Sequence, residues 1–270
     1  MLRFSGAGVS DRGRVRPHNE DSAFCGPYVA LVADGVGGAA AGEIASSTAA
    51  YVVSATALAR FGEDPASVIR DAVAATRESL CAGVHDDDAR VGMATTLSVL
   101  VCDGRRVVLG HVGDSRVYLR RDGELRQLSH DHTYVQHLLD TGQLSPERAP
   151  AHPWRNVVMR SLDGGPDTGL GDPDVVEVEV EVGDRLLLCT DGLTDLVDDQ
   201  AIGEALDLAD AQSAAAVLTH AALVAGGKDN VTCVVLDLVD GPVVVGDGDL
   251  LGAVRDIANV VDPGCVRISR

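Results

Sequence analysis

Four aspartates stand at the ends of apolar, strand-like runs, and this pattern limits the possible folds of the chain more than any other feature. Asp34 follows ALVA, Asp114 follows LGHVG, Asp191 follows LLLCT, and Asp229 precedes NVTCVV. Each of them has a Gly or Asn as its neighbour, and one such pair alone is an ordinary turn. Four at matching positions instead predict short carboxylate side chains that converge on a rigid floor made by strand ends.

The expected chemistry of these carboxylates is that of a site for hard cations. The acidic pair Glu20 and Asp21, in RPHNEDS, also leads into a short extended run and joins the set. Oxygen ligands without a nearby Cys or His cluster suit Mg²⁺ or Mn²⁺. Two such ions can share a bridging water, lower its pKa and neutralise a phosphoryl group during in-line attack. Arg16 is the candidate to hold the phosphate, because a guanidinium matches phosphate geometry; the alternative is an ordinary solvated arginine.

The remaining pattern alternates between strand-like and helix-like blocks and predicts an α+β protein. Antiparallel sheets covered by helices fit this order better than a doubly wound parallel sheet. The Asp122-Gly123 pair is a strong hairpin signal. The predicted helices are Glu43–Phe61, Pro65–Val84, His130–Thr141 and a helical region from Asp199 to about Val224. The predicted strands are Tyr28–Asp34, Thr95–Asp103, successive antiparallel strands within Arg105–Ser129, Val175–Val182, Asp184–Asp191 and Asn230–Leu238, and Gly142–Asp174 is turn-rich.

The amino-acid composition limits which partners the protein can bind and indicates its cellular compartment. The 270 residues include 22 Lys and Arg against 41 Asp and Glu, and a net charge of −19 disfavours nucleic acid and anionic membranes. Six scattered cysteines, mostly in apolar runs, predict buried free thiols in a reducing compartment. The first residues turn polar too early for a signal peptide, and no window approaches the roughly 18–20 apolar residues of a membrane span. We therefore expect a cytoplasmic protein with no nucleic-acid partner and no membrane span.

Six motifs, taken together, resemble one enzyme family. The chain from about residue 5 to residue 238 resembles the metal-dependent serine/threonine protein phosphatases of type 2C, the PPM family, and is most similar to its bacterial branch. A single Asp-Gly motif would be weak, but six in the family's order make the resemblance specific. The motifs are R-x-x-x-E-D at Arg16–Asp21, VADGVGG at Val32–Gly38, GMATTL at Gly92–Leu97, GHVGDSRVY at Gly110–Tyr118, LLCTDGLTD at Leu187–Asp195 and GGKDNVT at Gly226–Thr232.

The resemblance implies a fold, a reaction and partners. The fold would be a four-layer α-β-β-α sandwich, two antiparallel sheets flanked by helices, with the metal site at one end. The enzyme would be a protein phosphatase that hydrolyses phosphoserine and phosphothreonine by attack of a water bridging two Mn²⁺ or Mg²⁺ ions. Its partners would be phosphorylated proteins in bacterial signalling, such as serine/threonine kinases and their substrates, and we expect a monomer. The catalytic domain would span residues 1–238, and residues 239–270 would be a tail or a docked extension.

The family's functional residues carry over to matching positions of this chain. Asp34 would bridge the two metals, and the Gly35 carbonyl would bind the second of them. The resemblance gives the other positions as follows: Asp191 and Asp229 on the first metal, Glu20 and Asp21 acting through metal-bound waters, Asp114 with Asp191 on a third, weaker metal, Arg16 on the phosphate, and Gly142 to Asp163 as a mobile flap beside the site.

The chain departs from the family pattern where a histidine often follows the Asp-Gly turn. Val36 to Ala39 contain no His. The proton for the leaving alcohol would then come from a metal-bound water or from a histidine elsewhere. His18 and His152 are the candidates by motif context, although each also fits a solvated surface residue.

Two other classes of protein compete with the enzyme hypothesis. A pseudophosphatase would keep the fold and lose the metals, but all four aspartate positions are intact. A calcium-binding structural domain is suggested by Gly246–Asp249, which lacks the spacing and final Glu of an EF-hand loop. The motifs of P-loop nucleotide hydrolases, serine esterases and cysteine phosphatases are missing.

Overall fold

The computed structural model describes residues 1–36, 41–165, 171–246 and 248–264. Within these ranges, no helix has both the length and the hydropathy needed to cross a membrane. The strands are β1 (Leu2–Asp11), β2 (Asp21–Cys25), β3 (Val29–Val36), β4 (Ala94–Thr95), β5 (Leu97–Cys102), β6 (Val107–Val112), β7 (Arg116–Arg121), β8 (Glu124–Gln127), β9 (Leu162–Asp163), β10 (Asp174–Val178), β11 (Arg185–Cys189), β12 (Val231–Asp240) and β13 (Asp249–Gly252). The α-helices are α1 (Gly42–Ala59), α2 (Pro65–Asp86), α3 (Tyr134–Asp140), α4 (Asp191–Thr194), α5 (Asp199–Leu206) and α6 (Ala211–Val224).

Two antiparallel sheets form the centre of the molecule. One has five strands in the order β1-β12-β11-β7-β8. The other has the order β10-β6-β5-β3-β2-β13, and the short strands β4 and β9 extend it beside β3. Helices α1 and α2 pack on the second sheet, and α4, α5 and α6 pack on the first. The predicted four-layer sandwich is confirmed.

The central strands have continuous apolar sequences because each of them is buried on both faces. In β5, Val99 and Val101 contact the helices, whereas Leu100 and Cys102 pack between the sheets. In the same way, the residues of β12 alternate between the helix-side core and the inter-sheet core. The two-residue period of a strand therefore builds both cores from one run of Val, Leu and Cys.

Local signals correctly place the start of α2 and the hairpin. Pro65 is the first residue of α2, and the Asp64 carboxylate caps that helix by accepting the Ser67 N–H at 3.0 Å. The hairpin between β7 and β8 turns at Asp122 and Gly123, whose φ angles are +50° and +80°. These angles are those of the predicted two-residue Asp-Gly turn.

Three predicted elements were wrong in their extent. The helix predicted over His130–Thr141 begins only at Tyr134, because the His132 N–H bonds the Gly113 carbonyl and Thr133 caps the helix. The alternating run Val175–Val182 is a strand only to Val178, where its pairing with β6 ends. The predicted helical region from Asp199 to about Val224 is two helices, because Asp210 caps the second one.

The sequence analysis also missed the strands β1, β9 and β13 and misjudged one cysteine. β1 pairs with β12 along its whole length, but its Gly and Ser content hides the strand pattern. Cys81 is exposed, contrary to the prediction of buried thiols, because it lies on the outer side of α2. The other four cysteines of the described ranges are free and buried, as predicted.

The C-terminal strap, residues 248–264, is joined to the sandwich. Its strand β13 pairs with β2. Beyond it, Val254, Val260 and Val261 are buried in the core between α1 and the second sheet. The Thr48 hydroxyl accepts the Val261 N–H at 3.0 Å. These contacts favour the docked extension over the tail, although the domain boundary at residue 238 stays a prediction.

Removing the C-terminal strap is expected to destabilise the whole protein. A chain that ends at residue 245 lacks three buried valines and the edge strand. Each buried side chain contributes roughly 2 kcal/mol to the free energy of unfolding, and the conformational entropy that the removed residues no longer lose on folding offsets part of this. A net decrease of about 4 kcal/mol in the free energy of unfolding lowers the Tm of a domain of this size by about 10 °C. Thermal unfolding measures it, with a chain that ends at residue 264 as the control. Equal Tm values for the two chains would contradict a structural role for the strap.

Candidate metal centre

The predicted site residues meet at one cavity of about 210 Å³. Every predicted site residue except Asp21 lines this cavity. Its lining residues are Arg16, Glu20, Asp34, Gly35, Val36, Asp114, Asn156, Val158, Asp191 and Asp229. Residues that are up to 213 positions apart in sequence therefore contribute to one polar centre, as the Arg16–Asp229 pair shows.

Strand order explains why the carboxylates converge. Asp21 and Asp34 are opposite each other in the antiparallel pair β2–β3. Asp191 follows the end of β11, and Asp229 precedes the start of β12. Because β11 and β12 are antiparallel neighbours, the end of one lies beside the start of the other. Asp114 follows β6 and reaches the same cavity.

The backbone around Asp34 is fixed on both sides. The Asp34 N–H donates to the Thr96 hydroxyl at 3.0 Å, and the Asp34 carbonyl accepts from the Thr96 N–H and the Thr95 hydroxyl, both at 2.9 Å. At Gly35, an added Cβ would lie 2.6 Å from the Gly42 carbonyl oxygen. A glycine is therefore required where β3 meets the start of α1, and the Asp34 position is well defined.

Asp21 lies behind the cavity and is completely buried. Its Oδ2 accepts the hydroxyls of Thr190 at 2.8 Å and Thr232 at 2.7 Å. Its Oδ1 has no hydrogen-bond partner. Burial, with smaller contributions from the charges of Asp191 and Asp229, raises the pKa of Asp21 to about 7. A buried carboxylate oxygen without a partner is costly unless a proton or a cation satisfies it.

The other buried carboxylates destabilise one another's charge. Burial is the largest cause of the raised pKa of Asp34, and the charges of Asp21, Asp191 and Asp114 add to it. Burial and the charges of Asp195 and Asp229 raise the pKa of Asp191 to about 6. Interaction with the Asp34 carboxyl group lowers the pKa of Asp191 and offsets part of this rise.

This donor set fits divalent metal ions. All the side-chain ligands are carboxylate oxygens, the chemistry of Mg²⁺ and Mn²⁺ sites. In the ranges that the structure describes, no three acidic, His or Cys side chains are yet arranged closely enough to hold an ion. Adjustment of the carboxylates around the cavity is therefore part of the expected metal binding.

Arg16 brings the positive charge to this acidic centre. Its Nη2 donates to Asp229 Oδ2 at 2.7 Å, and its side chain is 46% exposed at the cavity. The hydrogen bond to Asp229 raises the pKa of Arg16, so its charge is permanent. The predicted phosphate-binding arginine is thus placed beside the predicted ligands.

Neither candidate histidine reaches the cavity. His18 is exposed. His152 packs against Trp154 and Tyr134 at ring-centroid distances of 6.1 and 6.2 Å. Among the described residues that line the cavity, none is a histidine.

The sequence analysis missed the contribution of the flap, residues 142–163, to the cavity wall. Asn156 and Val158 come from this segment, which was predicted to lie beside the site but without named residues. Arg155 and Asn156 both donate to the Asp195 carboxylate, with shortest distances of 3.0 and 2.9 Å. No motif marked them; only the turn-rich composition of the flap was a signal. Mobility of the flap stays a prediction.

A second cavity of about 330 Å³ adjoins the first and shares Asp114, Asn156 and Asp191 with it. Its wall includes Asp131, which binds Arg116 through Oδ2 and Nη2 at 2.7 Å. The flap and α3 form much of the remaining wall. Asp114 therefore lines both cavities, as Asp191 and Asn156 do.

Comparison with known proteins agrees with this geometry. The sequence profile of the protein phosphatase 2C family matches residues 18–225. The serine/threonine protein phosphatase PstP of Mycobacterium tuberculosis is 43% identical over 240 residues, which cover 89% of this chain and 46% of that protein. The serine/threonine phosphatase stp of Listeria monocytogenes is 35% identical over 239 residues, covering 84% of this chain and 93% of that protein.

A solved structure gives the same result in three dimensions. The catalytic domain of PstP in complex with two manganese ions has a TM-score of 0.79 and 42% identity, over 89% of this chain and 100% of that domain. The chain spans about half the length of the PstP proteins it matches. The likeness therefore concerns the PstP catalytic domain.

Proposed function

The chain belongs to the protein phosphatase 2C family, and on this basis we propose that it hydrolyses phosphoserine and phosphothreonine in proteins with two Mn²⁺ or Mg²⁺ ions. One observation carries the proposal: acidic side chains and one arginine from five separate segments meet at a single cavity. This combination can hold divalent cations and a phosphoryl group together.

The carboxylates are proposed as the metal ligands. Asp34 would bridge the two ions and the Gly35 carbonyl would bind the second, while Asp191 and Asp229 would bind the first. Glu20 and Asp21 would contact the ions through metal-bound waters, and Asp114 would hold a weaker third ion together with Asp191. When bound, the ions supply a water that is activated near neutral pH and positive charge that neutralises the phosphoryl group.

Arg16 is proposed to bind and orient the phosphoryl group. Its bond to Asp229 Oδ2 fixes one end of the guanidinium at the cavity. The planar guanidinium has five N–H donors, so donors remain for two phosphoryl oxygens. Asp229 would thus have two tasks, as a metal ligand and as the group that orients Arg16.

The proton for the leaving alcohol is proposed to come from a water in the cavity. His18 and His152 are the alternatives from the sequence, but neither lines the cavity in the described part of the chain. The position that follows the Asp-Gly turn holds Val36 instead of a histidine. Water is the remaining donor that can approach the leaving oxygen.

The intact carboxylate set favours an enzyme over a pseudophosphatase. Phosphorylated proteins, including serine/threonine kinases and their substrates, are the proposed partners in bacterial signalling. A net charge of −19 disfavours nucleic acid. The monomeric state and the cytoplasmic location are part of the same proposal.

Hydrolysis of a phosphothreonine peptide with and without metal tests the function. We expect turnover only with added Mn²⁺ or Mg²⁺ and loss of turnover in excess EDTA, because the ligands are carboxylates that need the cation. Treatment with iodoacetamide is the control and should leave turnover unchanged, since no cysteine lines the cavity among the described residues. Full turnover in EDTA, or Mn²⁺ binding without any turnover, would contradict the proposal; the second result would indicate a binding module.

A further inference from the structure

Asn230 uses its whole side-chain amide to bind the backbone of one loop. Its Oδ1 accepts the Glu20 N–H at 2.8 Å. Its Nδ2 donates to the Arg12 carbonyl at 2.8 Å and to the His18 carbonyl at 2.9 Å. The residue is 5% exposed. One acceptor lone pair and both donors of the amide are therefore engaged, and all three partners lie between β1 and β2.

The loop bound by Asn230, residues 12–20, is the segment that carries Arg16. Its residues 14 to 18 are all exposed, so burial of apolar side chains contributes little to its position. At its start, an added Cβ on Gly13 would lie 2.1 Å from the Asp229 carbonyl oxygen, and the Arg14 N–H donates to the Gly227 carbonyl at 2.8 Å. Polar contacts with residues 227–230 thus hold the part of the loop on either side of Arg16, and Asn19 adds a hydrogen bond to the Ser10 hydroxyl at 2.9 Å.

We propose that Asn230 is a positioning residue that fixes the loop of residues 12–20 and so places Arg16 at the phosphate site. This inference rests on the proposed function, in which Arg16 binds the phosphoryl group. Asn230 holds the loop at both ends, through Arg12 on one side of Arg16 and through His18 and Glu20 on the other. Its neighbour Asp229 bonds the guanidinium itself, so two successive residues set the backbone and the side chain of one arginine.

An asparagine is the residue type that this position requires. An aspartate would keep an acceptor for the Glu20 N–H but would direct a negative oxygen at two carbonyls. An alanine would leave three backbone groups of the loop without their buried partner, which destabilises the bound form of the loop. Loosening the loop displaces Arg16, and a displacement of about 1 Å in a binding group can cost as much as 10²-fold in rate.

Limited proteolysis tests the loop without any need for activity. Arg12 and Arg14 are trypsin sites inside the loop. In Asn230→Ala we expect cleavage after these residues to be about 10-fold faster or more, because opening becomes easier when three hydrogen bonds are lost. Asn259→Ala is the matched control, since Asn259 Nδ2 donates to the Ala253 carbonyl at 2.9 Å in the C-terminal strap. Equal cleavage of the loop in wild type and Asn230→Ala would overturn the proposal.

Binding of inorganic phosphate to the Mn²⁺-loaded protein tests the consequence for Arg16. We expect Asn230→Ala to weaken phosphate about 10-fold or more and to raise KM for a phosphopeptide with a smaller change in kcat. Mn²⁺ affinity, measured by calorimetry, should stay within a few-fold of wild type. Asn230→Asp should weaken phosphate at least as much, and Asn259→Ala should not change it. Wild-type phosphate affinity in Asn230→Ala would overturn the inference.

A double-mutant cycle with Arg16→Ala separates positioning from a general structural effect. If Asn230 acts through Arg16, adding Asn230→Ala to Arg16→Ala should produce little further loss of phosphate affinity. Additive losses would show that Asn230 acts by another route. Phosphate affinity tests the positioning of Arg16 even if the protein does not hydrolyse phosphopeptides. That result would contradict the proposed function but not the positioning of Arg16 by Asn230.

Discussion

Asp34→Asn is expected to lower kcat on a phosphopeptide by about 10³-fold or more without unfolding the protein. Asp34 lies in the middle of the carboxylate cluster and is the proposed bridge between the two ions. Loss of groups that only support metal ligands already costs about 10–100-fold in metal affinity or activity, so loss of the bridging ligand should cost more. Phosphopeptide kinetics at several Mn²⁺ concentrations measure the effect.

The same variant should make the metal-free protein more stable. In the absence of cations, the buried Asp34 carboxylate is opposed by Asp21, Asp191 and Asp114. A neutral amide of the same shape removes this repulsion. We therefore expect the Tm in EDTA to stay the same or to rise. The increase in Tm on adding Mn²⁺ should become smaller, because a ligand that binds less tightly stabilises the folded state less.

Asp184→Asn is the matched control for Asp34→Asn. Asp184 is buried as well, but its Oδ2 accepts from Arg121 and from the Glu181 N–H, both at 2.7 Å, away from the metal centre. This variant should lower Tm and keep the wild-type kcat per folded molecule. An Asp34→Asn protein that melts early in EDTA and keeps its turnover would instead make Asp34 a structural residue.

The sequence predicted the convergence of these carboxylates because strand ends are rigid. Asp34, Asp191 and Asp229 each adjoin a continuous apolar run, which is typical of a strand buried on both faces. The Asp-Gly and Asp-Asn neighbours then mark where each strand ends. The fold class followed from the same runs, with the hairpin at Asp122 and Gly123 as a local confirmation.

The errors lie where contacts distant in sequence override local pattern. β1 has the composition of a loop, and its pairing with β12 makes it a strand. His132 lies in a helical pattern, but its bond to the Gly113 carbonyl holds it extended. The proposed role of Asn230 could not be predicted from the sequence for the same reason. Its three partners are backbone groups at sequence separations of 210, 212 and 218 residues.

Asp114→Ala is expected to separate the outer position from the core ligands. Asp114 lines both cavities and is the proposed holder, with Asp191, of a weaker third ion. Because Asp34, Asp191 and Asp229 remain, the variant should still bind two Mn²⁺ ions. We expect kcat on phosphopeptides to fall about 10²-fold, at the low end of the range for losing assistance to proton transfer, since no histidine lines the cavity among the described residues.

Metal stoichiometry, phosphopeptide kinetics and a melting curve on the same preparation decide the role of Asp114. Lower turnover with two ions bound and an unchanged Tm in EDTA would support the outer ligand. A structural Asp114 would instead only shape the turn after β6, beside Gly113, whose φ is +111°. In that case the variant would melt early and keep wild-type turnover per folded molecule. Loss of one of the two tightly bound ions would move Asp114 into the core ligand set, because only a core ligand is required for their affinity.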